Sequence, residues 1–135
     1  MQMEITPKQF RRLLDLVYIG NWILNSTRGG DRIKDYDDVE SLVFAQCERS
    51  DMPALFERAE GEVIPSRAFA EGGIHEAVMD YEDTVFFEIL AEELARRDMQ
   101  EEELDEDNVE ELNERITAYI TEFERNGTDN ICINL

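Results

Sequence analysis

At 135 residues and 42% apolar content, the chain suffices for one domain burying roughly 65–70% of the surface exposed on unfolding, so no disulfide framework or structural metal is needed. Its 33 acidic and 13 basic residues give a formal charge of −20, which disfavours direct binding of nucleic acid or an anionic membrane, since both draw affinity from Lys and Arg. Cys47 and Cys132 have neither the number nor the spacing of a disulfide framework or zinc site and fit a reduced, cytoplasmic thiol pair.

Thr6 followed by Pro7 is a helix-start signal, because threonine caps and proline is tolerated where its missing N–H would be unpaired anyway. The first helix is predicted from Pro7 to about Asn25 and Ser26, before the Gly29-Gly30 break. It is apolar nearly all round from Leu13 onward, which predicts a central helix buried on several sides. A membrane span needs roughly 20 consecutive apolar residues. Asp15, Gly20 and Asn21 interrupt this run, and Arg11 and Arg12 precede it. It lacks the form of a secretory signal as well, having no apolar run directly after Met1 and no small-residue cleavage site after Leu24.

Asp35 to Asp38 supply capping side chains and negative charge at the start of a second helix, predicted from Asp37 to Glu48 with Tyr36, Val39, Leu42, Val43 and Cys47 as its apolar stripe. Ser50-Asp51-Met52-Pro53 reads as a break and a new cap, opening a short helix through Leu55, Phe56 and Ala59 that stops at Gly61. Residues 61–73 form a connection or ordered loop, in which Ser66 caps one further turn through Phe69. Ile74, Ala77, Val78 and Tyr81 recur at helical spacing and predict a short helix.

Asp83 then caps the clearest segment of the second half, a helix to about Met99. Phe86, Phe87, Leu90, Ala91, Leu94 and Ala95 form its core face, and Glu92–Arg96 and Glu93–Arg97 are i,i+4 pairs in the favourable order. Val85 and Ile89 fall outside the core face, beside Glu88 and Glu92, as neighbours of a loop or as a contact surface. The run Gln100 to Asp107 is a solvated acidic loop. Asp107 to Arg125 is strictly amphipathic through Val109, Leu112, Ile116, Tyr119, Ile120 and Phe123, ending at Asn126-Gly127. The tail Ile131-Cys132-Ile133-Asn134-Leu135 alternates like a strand whose partner would be Glu62-Val63-Ile64 or another copy of the chain.

The segment from Tyr81 to Asp98, YEDTVFFEILAEELARRD, resembles part of a family of small acidic helical bacterial proteins without an assigned function. So do the opening Phe10-x-x-Leu13-Leu14-x-Leu16-Val17-Tyr18 and the ending Phe123-Glu124-x-Asn126-Gly127. The resemblance implies a small helical domain and carries over no activity and no functional residue.

Chemistry-bearing patterns are sparse. His75-Glu76 opens like the zinc hydrolase motif H-E-x-x-H, but Met79 stands at the second histidine position and His75 is the sole histidine. Glu76, Asp80 and Asp83 remain as candidate carboxylate ligands for Mg²⁺ or Ca²⁺. Asp105-Glu106-Asp107-Asn108 starts like a calcium loop, yet Glu110 and Ile116 occupy the places of the required glycine and glutamate. Gly29-Gly30 and Gly72-Gly73 lack the spacing and lysine of a phosphate loop. Trp22, Tyr18 and the phenylalanines read as core before they read as a ligand pocket.

The charge is uneven: residues 1–67 carry 12 acids and 9 bases, residues 68–135 carry 21 acids and 4 bases. Lysine is scarce, only Lys8 and Lys34 against 11 arginines, a balance that also occurs in saline habitats. The sequence thus predicts a single all-α domain over residues 1–135, a compact bundle of about five helices around a buried N-terminal helix with a short extended C-terminal tail. The expected function is a non-enzymatic protein-interaction module without cofactor. Its acidic second half meets a partner's basic surface through Val85, Glu88, Ile89, Glu92 and Glu93. A homodimer through Val85 and Ile89 or through the tail fits the same pattern. Two alternatives are a nucleic-acid mimic that inhibits a DNA-binding protein, and a carboxylate-based divalent-metal protein or enzyme at Glu76, Asp80 and Asp83.

Overall fold

The computed structural model describes residues 1–100 and 103–134. The chain is mostly helical and divides into two compact units, Met1–Val78 and Met79 onward.

In the first unit, α1 spans Pro7–Asn25. Its start is a capping box: the Thr6 hydroxyl accepts from the Gln9 N–H at 3.2 Å while the Gln9 side chain accepts from the Thr6 N–H at 2.8 Å, pairing two N–H groups that the helix leaves free. Phe10, Leu14, Asn21 and Asn25 form its buried stripe, and Phe10 and Leu14 join Phe44, Cys47, Val63 and Phe69 in the core. The expectation of a helix buried on several sides needs correction, since Leu16, Ile23 and Leu24 are exposed. The C-terminal half of the buried stripe is amide, not aliphatic. Asn25 Nδ2 donates to Asn21 Oδ1 (2.7 Å) and to the Ile33 carbonyl (3.0 Å), and its Oδ1 accepts from the Ile33 N–H (2.8 Å), which ties the Gly29-Gly30 loop back onto α1.

Helix α2 spans Lys34–Phe44 and tightens into a 3₁₀ turn over Ala45–Glu48. It starts three residues earlier than predicted, at Lys34, and Ile33 before it supplies no side-chain cap. Asp37 is engaged elsewhere, accepting from Arg32 at 2.6 and 2.7 Å and from Asn21 at 2.9 Å. The predicted stripe holds only at its C-terminal end, where Cys47 is buried and Val43 packs half-buried on the core. Phe44 and Cys47 are fully buried, whereas Tyr36, Val39 and Leu42 point to solvent. The larger aromatic at Phe44, edge-on to Phe69 at 5.0 Å between centroids, sets the rotation of this helix.

Only Pro53–Leu55 of the predicted third helix is helical, as a 3₁₀ turn. Strands β1 (Phe56–Ala59) and β2 (Glu62–Pro65) follow as an antiparallel pair with Phe56 opposite Pro65 and Ala59 opposite Glu62, so the fold is not all-α. The two-residue tip, Glu60-Gly61, has positive φ at both positions (51° and 87°), the left-handed form that matches the twist of paired strands. β2 delivers Val63 to the core. Ser66 then acts as the predicted cap: its hydroxyl accepts from the Phe69 N–H at 3.1 Å and donates to the Ala54 carbonyl at 2.6 Å, opening the single turn α3 (Arg67–Phe69). A widened turn over Ala70–Ile74 ends with Gly73 at φ 102°.

Helix α4 is continuous over His75–Asp98, where two helices separated by an Asp83 cap were predicted. Neither glycine nor proline lies within it, so the nearest break is Gly72-Gly73. In the second unit α4 packs on α5 (Val109–Asn126), with Ala95, Met99 and Leu112 buried among Ile116 and Tyr119. Phe87 lies 5.4 Å from Phe123 between ring centroids. Before α5, Asp105 Oδ1 accepts from the Asp107 and Asn108 N–H groups at 2.8 and 3.0 Å. Glu101 and Glu102 of the predicted acidic loop lie outside the described residues. α5 ends at Gly127 (φ 55°), as predicted. Residues 131–134 form no strand, and Leu135 is outside the described residues. The Glu62-Val63-Ile64 edge predicted for the tail is taken by β1.

Two substitutions test this packing through urea unfolding midpoints at constant m-value. Leu14→Ala removes a fully buried side chain and is expected to destabilise by about 2–5 kcal/mol. A methyl group at Gly20 meets no atom within 4 Å, so Gly20→Ala is expected to stabilise α1 by about 0.5–1 kcal/mol.

Candidate interaction surface

The phase of α4 decides which side chains it offers to solvent. Ala91 and Ala95 are fully buried, and Phe87 and Leu94 flank them half-buried. At about 100° per residue, the arc away from these alanines holds Val85, Phe86, Ile89 and Leu90. Ile89 is 56% exposed and Phe86 52%. Phe86 is therefore a surface residue, contrary to its predicted place in the core. Val85 and Leu90 are half-buried at the margins of the strip.

Carboxylates bound this strip along the helix. Glu82 and Asp83 lie one turn before it, Glu92 and Glu93 one turn after, all exposed. Arg96 donates to Glu92 at 2.7 Å, forming the predicted i,i+4 pair. The predicted Glu93–Arg97 pair is absent, because Arg97 turns to Asp98 at 2.8 Å. Asp98 also accepts from the Tyr119 hydroxyl, and these two contacts, Tyr119 first, hold its carboxyl below the usual range. Glu82, Asp83, Glu88 and Glu93 are in no ion pair among the described residues. Val85, Ile89, Glu92 and Glu93 share one side of α4. Glu88 instead lines a cleft of about 290 Å³ with Thr84, Phe87, Ile120, Phe123 and Glu124. Phe86 was missed as a surface residue, and Leu90, predicted in the core, is only half-buried. The signal for them was the unbroken helical phase from Met79 to Glu93, hidden by reading Asp83 as a cap.

The carboxylate metal site does not assemble. Glu76, Asp80 and Asp83 are exposed at successive turns of α4, and among the described residues no group of three His, Cys, Asp or Glu side chains is placed to hold a metal ion. A cation needs ligands converging from more than one direction, which a single helix face does not supply. Nucleophilic chemistry is unsupported too. Cys47 is buried, and desolvation pushes its thiol up despite the opposing charge of Arg11, away from the reactive thiolate. His75 Nε2 is hydrogen-bonded with the Tyr18 hydroxyl at 2.6 Å, and the Trp22 ring stands edge-on to it at 6.0 Å, so these aromatics wall in the histidine.

A second polar group in the first unit is structural. The Arg32 guanidinium, donating to Asp37, holds that carboxyl below its usual range, while burial raises Glu40, with the Asn21 amide partly offsetting it. Asp37 therefore contributes stability above its ordinary titration range, lost as pH falls through its lowered value. Glu40 has the opposite sign: its folded-state pKa lies above the unfolded one, so stability declines as pH rises from the ordinary glutamate range through the raised value. Glu40→Gln is expected to unfold at higher denaturant than the parent at neutral pH, with the difference vanishing below the ordinary glutamate range. Urea titrations at both pH values read this.

Among the described residues no helix is long and apolar enough to cross a membrane. Compared with known proteins, the chain has no significant match to a protein-family model, a curated protein or a solved structure.

Proposed function

We propose that the protein is a non-enzymatic interaction module that captures a protein partner with a basic surface through the outward face of α4. The observation carrying this reading is the exposed apolar strip of Phe86 and Ile89 set among carboxylates, of which Glu82, Asp83 and Glu93 are in no ion pair among the described residues. An apolar strip on a water-facing helix gains free energy only when covered, and the surrounding charge selects what covers it. From Met79 onward there are 19 acidic and 4 basic residues, a field that draws a cationic partner and repels nucleic acid. Mimicry of nucleic acid draws on charge alone and leaves the apolar strip without a role. The cytoplasm, where Cys47 and Cys132 stay reduced, suits such a module, as does the family of small acidic helical bacterial proteins that the sequence resembles.

A photo-activated cross-linker at Glu88, near the strip, tests the proposal in native lysate. A defined partner is expected, its yield falling with added salt. With the cross-linker moved to Val85, Glu88→Lys, Glu92→Lys and Glu93→Lys together are expected to lower the yield by about tenfold at low salt. Equal yield from parent and charge-reversed proteins at low salt would overturn the proposal.

A further inference from the structure

The outward face of α4 has an internal symmetry. Adjacent pairs follow along it in the order Glu82-Asp83, Val85-Phe86, Ile89-Leu90, Glu92-Glu93, with Glu82, Phe86, Ile89 and Glu93 at its centre and Asp83 and Glu92 on its two flanks. Read from either end, the face presents two carboxylates, two apolar side chains, two more apolar side chains and two carboxylates. It extends about 16 Å along the axis at 1.5 Å per residue, roughly three turns.

This pattern excludes one occupant and specifies another. A second copy laid antiparallel across the midpoint would set Glu82 against Glu93 and Asp83 against Glu92 at both ends. A parallel copy would set each carboxylate near its own counterpart. The nearest bases give little relief, since Arg96 is paired with Glu92 and Arg97 with Asp98. Like charges at both ends of a short apolar contact act against self-pairing. A helix with the inverse charge pattern meets the same geometry favourably, because its backbone groups are satisfied internally and only side chains must match.

We infer that this face binds an amphipathic helix of another protein that carries two adjacent bases, two pairs of apolar residues and two further bases. Their spacing is that of the pairs on α4: positions 1 and 2, 4 and 5, 8 and 9, 11 and 12, numbered along about three turns. The inference rests on the interaction proposed above and adds the form and charge order of the partner. Four apolar side chains make a small contact, so the complex is transient and its capture depends on electrostatic approach.

The test is a fluorescence-anisotropy titration of the full-length protein with two synthetic peptides. One carries Lys at the four outer positions and Leu at the four inner ones, on an alanine and glutamine background. The other has the same composition permuted so that no face combines them. The patterned peptide is expected to bind at least about tenfold more tightly. Phe86→Ser with Ile89→Ser is expected to remove that advantage. Glu82→Lys with Glu93→Lys, which brings the four outer charges from −4 to zero, is expected to remove the preference for the patterned lysine peptide, which keeps the test decisive should the serine variant misfold. Equal binding of patterned and permuted peptides, or unchanged preference in the lysine variant, would overturn the inference, as would dimerisation of the parent that Phe86→Ser abolishes. A partner still cross-linked near the strip but not displaced by the patterned peptide would remove the helix inference and leave the interaction reading standing. Loss of the cross-linked partner itself would remove both.

Discussion

Ala91 and Ala95 are the smallest residues on the part of α4 that belongs to the second unit, and both are wholly buried. A helix has one rotational setting at a time, and in this one Ala95 packs with Met99 and with Leu112 of α5. Phe87 turns toward Phe123, Met99 reaches Leu112, and Phe86 and Ile89 stay exposed on the far side. Ala95 with a larger side chain would force the two helices apart and rotate the outward face with them.

The first unit uses a different device. Its apolar core is small and largely aromatic, six buried residues around Leu14 and Phe44, and where that core ends on α1 the packing continues in amides. Asn21 and Asn25 take the buried positions there, and each satisfies its polar atoms within the unit: Asn25 on the Ile33 backbone, Asn21 on Asp37 and Asn25. Buried amides with complete partners confer directionality that apolar contacts lack. They hold the turn between α1 and α2, and through Asp37 and Arg32 they draw a charged pair against the helix.

How much of this was legible in the chain depends on whether the deciding interaction was local. The start of α1 at Thr6, the cap at Ser66 and the end of α5 at Gly127 were all readable, because the residues that make them lie within one turn. The phase of α2 was not. Tyr36, Val39 and Leu42 are spaced as well for burial as the face that holds Phe44, and the choice was made by Phe69, more than twenty residues away. Leu55, Phe56 and Ala59 were read as helix because their spacing fits one, while the left-handed turn that makes them a strand sits on Glu60, a residue with no special liking for that conformation. Asp83 looked like a cap for lack of any means of knowing that the preceding turn would join the same helix. The acidic surround of Val85 and Ile89 was legible from composition. Phe86 was not, since an aromatic at helical spacing is more often inside than outside.

The tip formed by Glu60 and Gly61 has a bearing on how this chain tolerates change in length. Two residues close the ribbon with no slack, and Val63 reaches the interior because it is the second residue of its strand. Inserting or deleting one residue between Ala59 and Val63 would turn the valine outward and carry Glu62 or Ile64 inward in its place. Related chains that vary in length should therefore do so elsewhere, at the glycine pair after α1 or in the acidic stretch before α5, and keep this corner at its present count.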